Sequence, residues 1–216
     1  MPDLTFSVEG AEAVDYAVAP LLALKLRVEN ADREEQVHAV ILDCQVRIEA
    51  ARRRYAESER DGLLELFGEP SRWAQTLRSL LWTNVSVNVP PFRGEVLVDL
   101  QVPCTYDFTL QVTKFFDSLA GGEVPLMLLF SGSVFFAGED GRLQVSRVSW
   151  TQEAAYRLPV VVWKDVMDRY YPNTAWLNLR KDVFDRLAAY KRRRGLPTWE
   201  HAVESLLLGA EELRSP

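Results

Sequence analysis

Two cysteines and two histidines are the residues from which this chain of 216 would have to build a metal site or a nucleophile. A structural zinc site needs four ligands, usually Cys and His at short spacing, whereas Cys44 and Cys104 are 60 residues apart. Cys44 falls on the apolar side of an alternating segment, which predicts a buried and inert thiol. Cys104 follows Pro103 at a strand end and is either a second core thiol, which we favour, or a reactive one. The sequence therefore predicts no metal and no other cofactor.

Nucleophilic catalysis needs a base that orients and deprotonates the nucleophile. His38 begins a predicted strand, and His201 lies in the first turn of a predicted helix, where the helix dipole disfavours the charged imidazole. Neither is near a Gly-x-Ser-x-Gly motif, and the chain contains no Walker loop and no dinucleotide-binding fingerprint. We therefore expect a protein without enzymatic activity. An enzyme with a pocket near either histidine is the weaker alternative.

Two basic clusters, at 52–54 and 191–194, are the candidates for a nucleic-acid site. The net charge of −6 and the pI of about 5.1 disfavour broad phosphate binding. The second cluster also ends a predicted helix, where cations complement the dipole without any ligand. The sequence therefore predicts no nucleic-acid partner.

Aromatic residues are numerous, with six Trp, seven Tyr and ten Phe. Phe135 and Phe136 are adjacent in a predicted strand and must point to opposite faces. Tyr170 and Tyr171 diverge by about 100° on a helix. One core cannot take both members of each pair, so we expect another subunit or a ligand to cover the extra rings.

The elements that position these aromatics are predicted to be antiparallel strands followed by helices. Period-two alternation of apolar and polar residues predicts strands at 4–8, 22–28, 40–48, 85–89, 96–102 and 106–112, and a further strand is predicted at 143–150. An almost continuous apolar run predicts a strand buried on both faces at 124–137. Helical periodicity and caps predict helices at 71–81, around 115–119, and at 159–170, 180–194 and 198–208. The polar segment 29–35 is predicted to join its two flanking strands as a hairpin of a meander.

These elements predict an α+β fold in which an antiparallel meander sheet packs against C-terminal helices. We expect a single domain over 1–216, with an insertion at 52–123 and an extra C-terminal helix at 198–208. No apolar stretch approaches the roughly 20 residues that cross a bilayer, and the first ten residues lack the features of a signal peptide. The sequence therefore predicts a cytoplasmic protein without membrane insertion.

In the C-terminal third, a proline opens a predicted helix at Pro159, Leu177-Asn178-Leu179 follows eighteen residues later, and Phe184-Asp185 comes next. By this spacing, the C-terminal third resembles SecB, the family of bacterial export chaperones. Upstream, the glycine-bounded strand at 132–138 resembles the one that precedes the same helix in that family. The early strands at 24–28 and 40–48 are compatible with its first hairpin.

The SecB resemblance implies a homo-oligomer assembled through sheet edges and helices, with unfolded or extended polypeptides bound in a hydrophobic groove. Such segments gain main-chain hydrogen bonds at a sheet edge and bury side chains in apolar pockets. The groove candidates are Phe135, Trp163, Tyr171 and Trp176. Asn178 and Asp185 are expected to fix the loop and to cap the following helix.

The sequence also departs from the SecB pattern. Lys181-Asp182 stands where the family has Pro-Val, most of the segment between 54 and 122 has no counterpart, and the helix at Thr198 is extra. The end of the chain, from Tyr190 to Trp199, looks like an uncharacterised group of bacterial proteins encoded near NiFe hydrogenase genes. Two functions follow as hypotheses. The first is a chaperone-like protein that binds polypeptides, and the alternative is a dedicated assembly factor for a metalloenzyme such as that hydrogenase.

Overall fold

The computed structural model describes residues 1–105, 110–138, 141–174, 177 and 179–212. Contacts within the chain divide it into two compact units, Met1–Thr174 and Ala175–Pro216. The first unit contains every strand that the structure describes, and the second contains the last two helices. Where the sequence suggests one domain over 1–216, the contacts therefore define a large unit and a small helical one.

Eight strands lie in the described part of the first unit. They are β1 (Leu4–Ala13), β2 (Leu21–Asn30), β3 (Val37–Ile48), β4 (Leu80–Val89), β5 (Glu95–Pro103), β6 (Glu123–Ala137), β7 (Leu143–Arg147) and β8 (Glu153–Pro159). All pairs are antiparallel, in one sheet of order β1-β2-β5 and another of order β4-β3-β6-β7, in which β8 also pairs with β6. The α+β class and the antiparallel pairing predicted from the sequence are confirmed.

The described helices are divided between the two units. The first unit contains α1 (Glu57–Phe67), α2 (Trp73–Thr76), α3 (Leu110–Asp117) and α4 (Val160–Tyr170), and the second contains α5 (Lys181–Arg194) and α6 (Trp199–Glu212). The predicted helices at 159–170 and 180–194 are confirmed, and Gly195 ends α5 in the left-handed conformation. No helix in the described part of the chain is long and apolar enough to cross a membrane.

The two sheets pack face to face around one apolar core. Leu24 of β2 and Leu42 of β3 are fully buried, because period-two alternation turns one face of each strand inward. The rings of Phe6 and Phe130 stack with centroids 4.4 Å apart and join the first sheet to the second. Burial of each such side chain contributes about 1.5–3 kcal/mol, and this interior stabilises the first unit.

The segment 29–35 does not form the predicted hairpin. β2 pairs with β1 and β5, whereas β3 pairs with β4 and β6, so this segment crosses from one sheet to the other. Asn30 is buried at the crossing, where its side-chain oxygen accepts a hydrogen bond from the Asp3 N–H at 2.9 Å. Alternation identifies the buried face of a strand but does not identify its neighbour, and for this reason the sequence did not separate the two sheets.

The segment 52–123, expected to be an insertion, is an integral part of the first unit. It supplies β4 to the second sheet and β5 to the first, and its helices bury Leu63 and Phe116 in the core. The predicted helix at 71–81 is confined to a short turn that includes α2, because Leu80 and Leu81 already belong to β4. Of the strand predicted at 106–112, residues 106–109 lie outside the described residues and 110–112 are helical.

Candidate functional site

On one of its two sides, β6 changes its neighbouring strand halfway along its length, at Gly132. Residues 123–129 of β6 pair with β8, and residues 133–137 pair with β7. Gly132 has a φ of +146°, and a Cβ at this position would lie 2.1 Å from the carbonyl oxygen of Ile41. Only glycine tolerates this conformation and this close approach, and it therefore lets one long strand serve two successive neighbours.

A row of apolar side chains crosses the outer face of the second sheet beyond this bend. Phe135 stands opposite Ala39 of β3 on one side and Val145 of β7 on the other. Ile41, Val145 and Leu143 are 48%, 59% and 64% exposed. Directly opposed side chains lie about 5 Å apart at their Cβ atoms, so these residues form one surface. We name Ile41, Phe135, Leu143 and Val145 the β7 patch.

The backbone of β7 is open along its outer side. In an antiparallel ladder, successive residues point their peptide groups alternately toward the partner strand and away from it. The Val148 N–H donates to the Gly132 carbonyl at 3.1 Å, which fixes the phase of this alternation. The N–H and C=O groups of Leu143, Val145 and Arg147 therefore point away from β6, and no strand of the described residues pairs with them.

The outer face of the first sheet is different, because it is covered by ion pairs. Lys25 on the central strand bridges Glu12 and Asp99, at 2.6 and 2.8 Å. Arg27, two residues along the strand, bridges in the same way to glutamates on both neighbouring strands. These carboxylates raise the pKa of Lys25 through hydrogen bonds and charge. The β7 patch is thus a local apolar surface and not a general property of the sandwich.

The second unit presents an apolar groove with a volume of about 650 Å³. Its lining includes Leu177, Leu179, Val183, Leu187, Val203 and Leu206. The Tyr190 and Ser205 hydroxyls are 2.7 Å apart and join α5 to α6. Phe184 and Trp199 pack with ring centroids 5.1 Å apart. The groove is therefore built from two helices and the segment that precedes them.

The four groove candidates from the sequence do not form one site among the described residues. Phe135 belongs to the β7 patch, whereas Trp163 is 2% exposed and stacks on Phe116 at 4.8 Å, so its ring is not available to a partner. Tyr171 follows α4 and packs against the core, half-buried. Pro159, the residue before α4, pairs with Glu123, which is twelve residues along β6 from Phe135, so α4 begins about 40 Å of strand away from Phe135.

Trp176, the fourth candidate, and Asn178 of the Leu-Asn-Leu motif lie outside the described residues. Pro159 occupies the N-cap position of α4, close to the helix-opening role expected from the sequence. Leu177 is 73% exposed and lies with Leu179 in the lining of the groove of the second unit.

Asp185 does not cap the helix in which it lies. The N-cap of α5 is Arg180, without a side-chain cap, and Asp185 is inside the helix, where it accepts a hydrogen bond from Lys181 at 3.0 Å. The four-residue spacing explains this contact, because such residues are neighbours on a helix surface. Phe184 is 45% exposed and contributes to an apolar surface of the second unit.

The remaining reactive residue types form no catalytic arrangement in the described residues. Burial raises the pKa of both Cys44 and Cys104 to about 12, so neither thiol is activated. The Nδ1 atom of His201 is 2.7 Å from the Thr198 hydroxyl at the start of α6, and His38 is exposed at a bulge of β3. No cluster of His, Cys, Asp or Glu that could hold a metal occurs in this part of the chain.

A buried ion pair links the first helix to the loop that precedes β6. Arg53 donates two hydrogen bonds to the Glu59 carboxylate, at 2.8 and 2.9 Å, and others to the carbonyl oxygens of Gly121 and Glu123. The Ala120 N–H donates to the same carboxylate at 2.9 Å. All these contacts are within the first unit, and the pair is therefore a structural clamp.

Ile41, Leu143 and Val145 were not predicted as site residues from the sequence. Their strands were predicted correctly, and Leu143 and Val145 alternate with polar residues. That alternation indicates one apolar face but does not show that this face points away from the core. A short strand at the edge of a sheet, next to a Gly-containing turn, is the signal that could have identified them.

The comparisons with known proteins place the chain in a family without assigning an activity. None of the curated proteins matches it. Among solved structures, it is similar to the CARDB domain of a protein from Pyrococcus furiosus, crystallised in complex with di-metal ions, at 14% identity and a TM-score of 0.27. That match covers 73% of this chain and 92% of the other. A family model matches residues 1–215, and the chain therefore belongs to DUF6084, a family of unknown function.

Proposed function

We propose that the protein binds partner polypeptides, without catalysing a reaction, by adding an extended segment of the partner to the outer edge of β7. The observation that carries this proposal is the row of outward peptide groups at Leu143, Val145 and Arg147, beside exposed apolar side chains. Extended segments join such an edge through main-chain hydrogen bonds, and alternate side chains supply the selectivity. An edge strand that exposes apolar side chains is prone to pair with other chains.

The chemistry of the β7 patch defines the segment that fits it. Every second side chain of an added strand faces the same side as Leu143 and Val145, so a segment with apolar residues at alternate positions gains burial. Each Å² of apolar surface removed from water contributes about 25 cal/mol. Arg147 at the end of the strand favours an acidic residue in the partner.

The proposal places the protein in the cytoplasm. Both of its cysteines are free, buried thiols, and thiols persist in reducing compartments. A chaperone-like protein binds many unrelated segments at such an edge, whereas a dedicated assembly factor binds the segments of one partner. A panel of unrelated extended peptides distinguishes these two forms of the proposal.

The test uses Val145→Pro in the full chain. Proline removes the N–H of residue 145, which points away from β6, so no hydrogen bond within the sheet is lost. Fluorescence anisotropy with labelled peptides that alternate apolar and polar residues measures binding. We expect Val145→Pro to raise the dissociation constant at least tenfold, which corresponds to about 1.4 kcal/mol.

Val145→Thr is the matched control, because it keeps both the N–H and the β-branched shape. We expect its dissociation constant to stay within threefold of the original and both variants to unfold within a few degrees of it. Equal binding by Val145→Pro and the unchanged protein would rule out strand addition at β7. Failure of every alternating peptide to bind the unchanged protein would rule out the proposed function.

A further inference from the structure

The second unit exposes more apolar surface than a unit of its size normally leaves in water. Among its described hydrophobic residues, only Ala202 is fully buried. The large side chains that remain 38–73% exposed are Leu177, Phe184, Trp199, Val203, Leu206, Leu207 and Leu208. Units of about 40 residues seldom build a sufficient core alone and commonly depend on oligomerisation. The exposed leucines therefore need a partner surface.

The arrangement of leucines on α6 strengthens this conclusion. Leu206, Leu207 and Leu208 are consecutive, and successive residues of a helix are separated by about 100° around its axis. Their exposures of 45%, 59% and 61% show that none of these three directions is fully covered. A helix that is apolar on several sides is normally buried on several sides. The groove beside α5 lies against one apolar side of α6, and a second surface must cover another apolar side of this helix.

The charges of the second unit complement one another. Residues 180–212 contain seven Lys or Arg and six Asp or Glu, giving +1, whereas the whole chain has a net charge of −6. The cations concentrate in the last turn of α5, at 191–194, whereas α6 has Glu200 in its first turn and Glu204 in the next. No ion pair joins Glu204 to Arg192 or Arg193 in the described part of the chain. A surface with separated charges of both signs fits a copy of itself.

We propose that the second unit is a homodimer interface, in which α5 and α6 of two copies pack their exposed leucines together around a two-fold axis. A two-fold contact is self-complementary, so each basic end of α5 can meet the acidic surface of the partner's α6. The exposed parts of the seven apolar side chains amount to roughly 700 Å², close to the roughly 800 Å² that each partner of a stable complex buries. This surface shares no residue with the β7 patch.

The test measures the mass of the full chain in solution. Sedimentation equilibrium is expected to give a dimer of the 24.6 kDa chain. Leu207→Glu is expected to raise the dimer dissociation constant at least a hundredfold, because the substitution occurs twice in a two-fold interface. Leu207 is 59% exposed in one copy, so this change leaves the fold of the single chain intact. Leu97→Glu, at a residue 52% exposed on β5, is the matched control and is expected to leave the dimer unchanged.

Cross-linking provides a second measurement that does not depend on the effect of a new charge. The two native cysteines are both buried, so Leu207→Cys introduces the accessible thiol without any other change. A short bismaleimide is expected to join two Leu207→Cys chains and to leave Leu97→Cys chains single. A monomeric unchanged protein, a dimer that Leu207→Glu does not weaken, or the absence of cross-linking at position 207 would each overturn the proposal. Peptide binding by a Leu207→Glu monomer separates this result from the proposed function.

Discussion

At the scale of single residues, the contact between Arg53 and Glu59 makes the stability of the first unit depend on pH in the acid range. The two side chains are 9% and 5% exposed. Hydrogen bonds from Arg53 lower the pKa of Glu59 from its ordinary 4.5 to about 2 against the opposing effect of burial, and N–H groups of Ala56 and Ala120 add to this. A carboxyl group whose pKa is lower in the folded chain stabilises the fold above its ordinary pKa, and this contribution is lost as the pH falls.

We predict that Glu59→Gln lowers the free energy of unfolding at pH 7 by about 3 kcal/mol, because it leaves the Arg53 guanidinium buried without its carboxylate. In the unchanged protein, the same residue should contribute a loss of about 3 kcal/mol between pH 4.5 and pH 2. The variant should lack this part of the acid dependence. Urea denaturation followed by circular dichroism at pH 7 and at intervals down to pH 2 measures both effects.

Glu57→Gln is the control for this prediction, because Glu57 is on the same helix and is exposed. It should change the free energy of unfolding by no more than about 0.5 kcal/mol. Equal acid dependence in Glu59→Gln and Glu57→Gln would show that the clamp does not govern acid stability.

At the scale of elements, Gly132 determines whether β6 can serve β8 and β7 in succession. We predict that Gly132→Ala lowers the free energy of unfolding by about 3 kcal/mol or more, because its Cβ collides with the β3 backbone and the residue has a φ that alanine rarely adopts. Chemical denaturation provides the measurement. Gly10→Ala in β1 should cost less than about 1 kcal/mol, because its Cβ meets only the Lys25 side chain at 3.9 Å. Similar costs at both positions would contradict this role for Gly132.

Secondary structure was largely accessible from the sequence, and strand partners were not. The alternation from Val40 to Ile48 predicted β3 correctly because one of its faces is buried. The periodicity of Trp73, Leu77 and Leu80 predicted a helix where a turn and a strand occur, because short apolar runs satisfy both periods. Partner choice depends on contacts between residues far apart in sequence, which local pattern does not contain.

Less of the candidate site than of the secondary structure could be predicted from the sequence. The prediction that Phe135 and Phe136 face opposite ways is confirmed, since Phe136 is 5% exposed and Phe135 lies on the other face. Trp163 looked equally suitable for a binding surface, but it fills the core against Phe116. Aromatic type and helical position do not reveal which side of a helix is covered. The resemblance to SecB stays a prediction.

At the scale of the whole molecule, the core and the exposed apolar surface are distributed unevenly between the two units. Every buried hydrophobic residue of the described chain except Ala202 belongs to Met1–Thr174. The stability of the first unit is therefore expected to come from its own sandwich, whereas that of the second depends on a partner surface.

This distribution predicts the behaviour of a chain that ends at Thr174. It should unfold cooperatively, with a free energy of unfolding within about 1 kcal/mol of the full chain measured as a monomer, because it keeps nearly all the buried apolar surface. It should bind alternating peptides with unchanged affinity and sediment as a monomer. The stability of the full chain should rise with protein concentration, by up to about 0.7 kcal/mol per chain (about 1.4 kcal/mol per dimer) for each tenfold increase, because association stabilises the folded state by mass action. Concentration-independent unfolding of the full chain, or a shortened chain that does not fold, would contradict the division of roles between the two units.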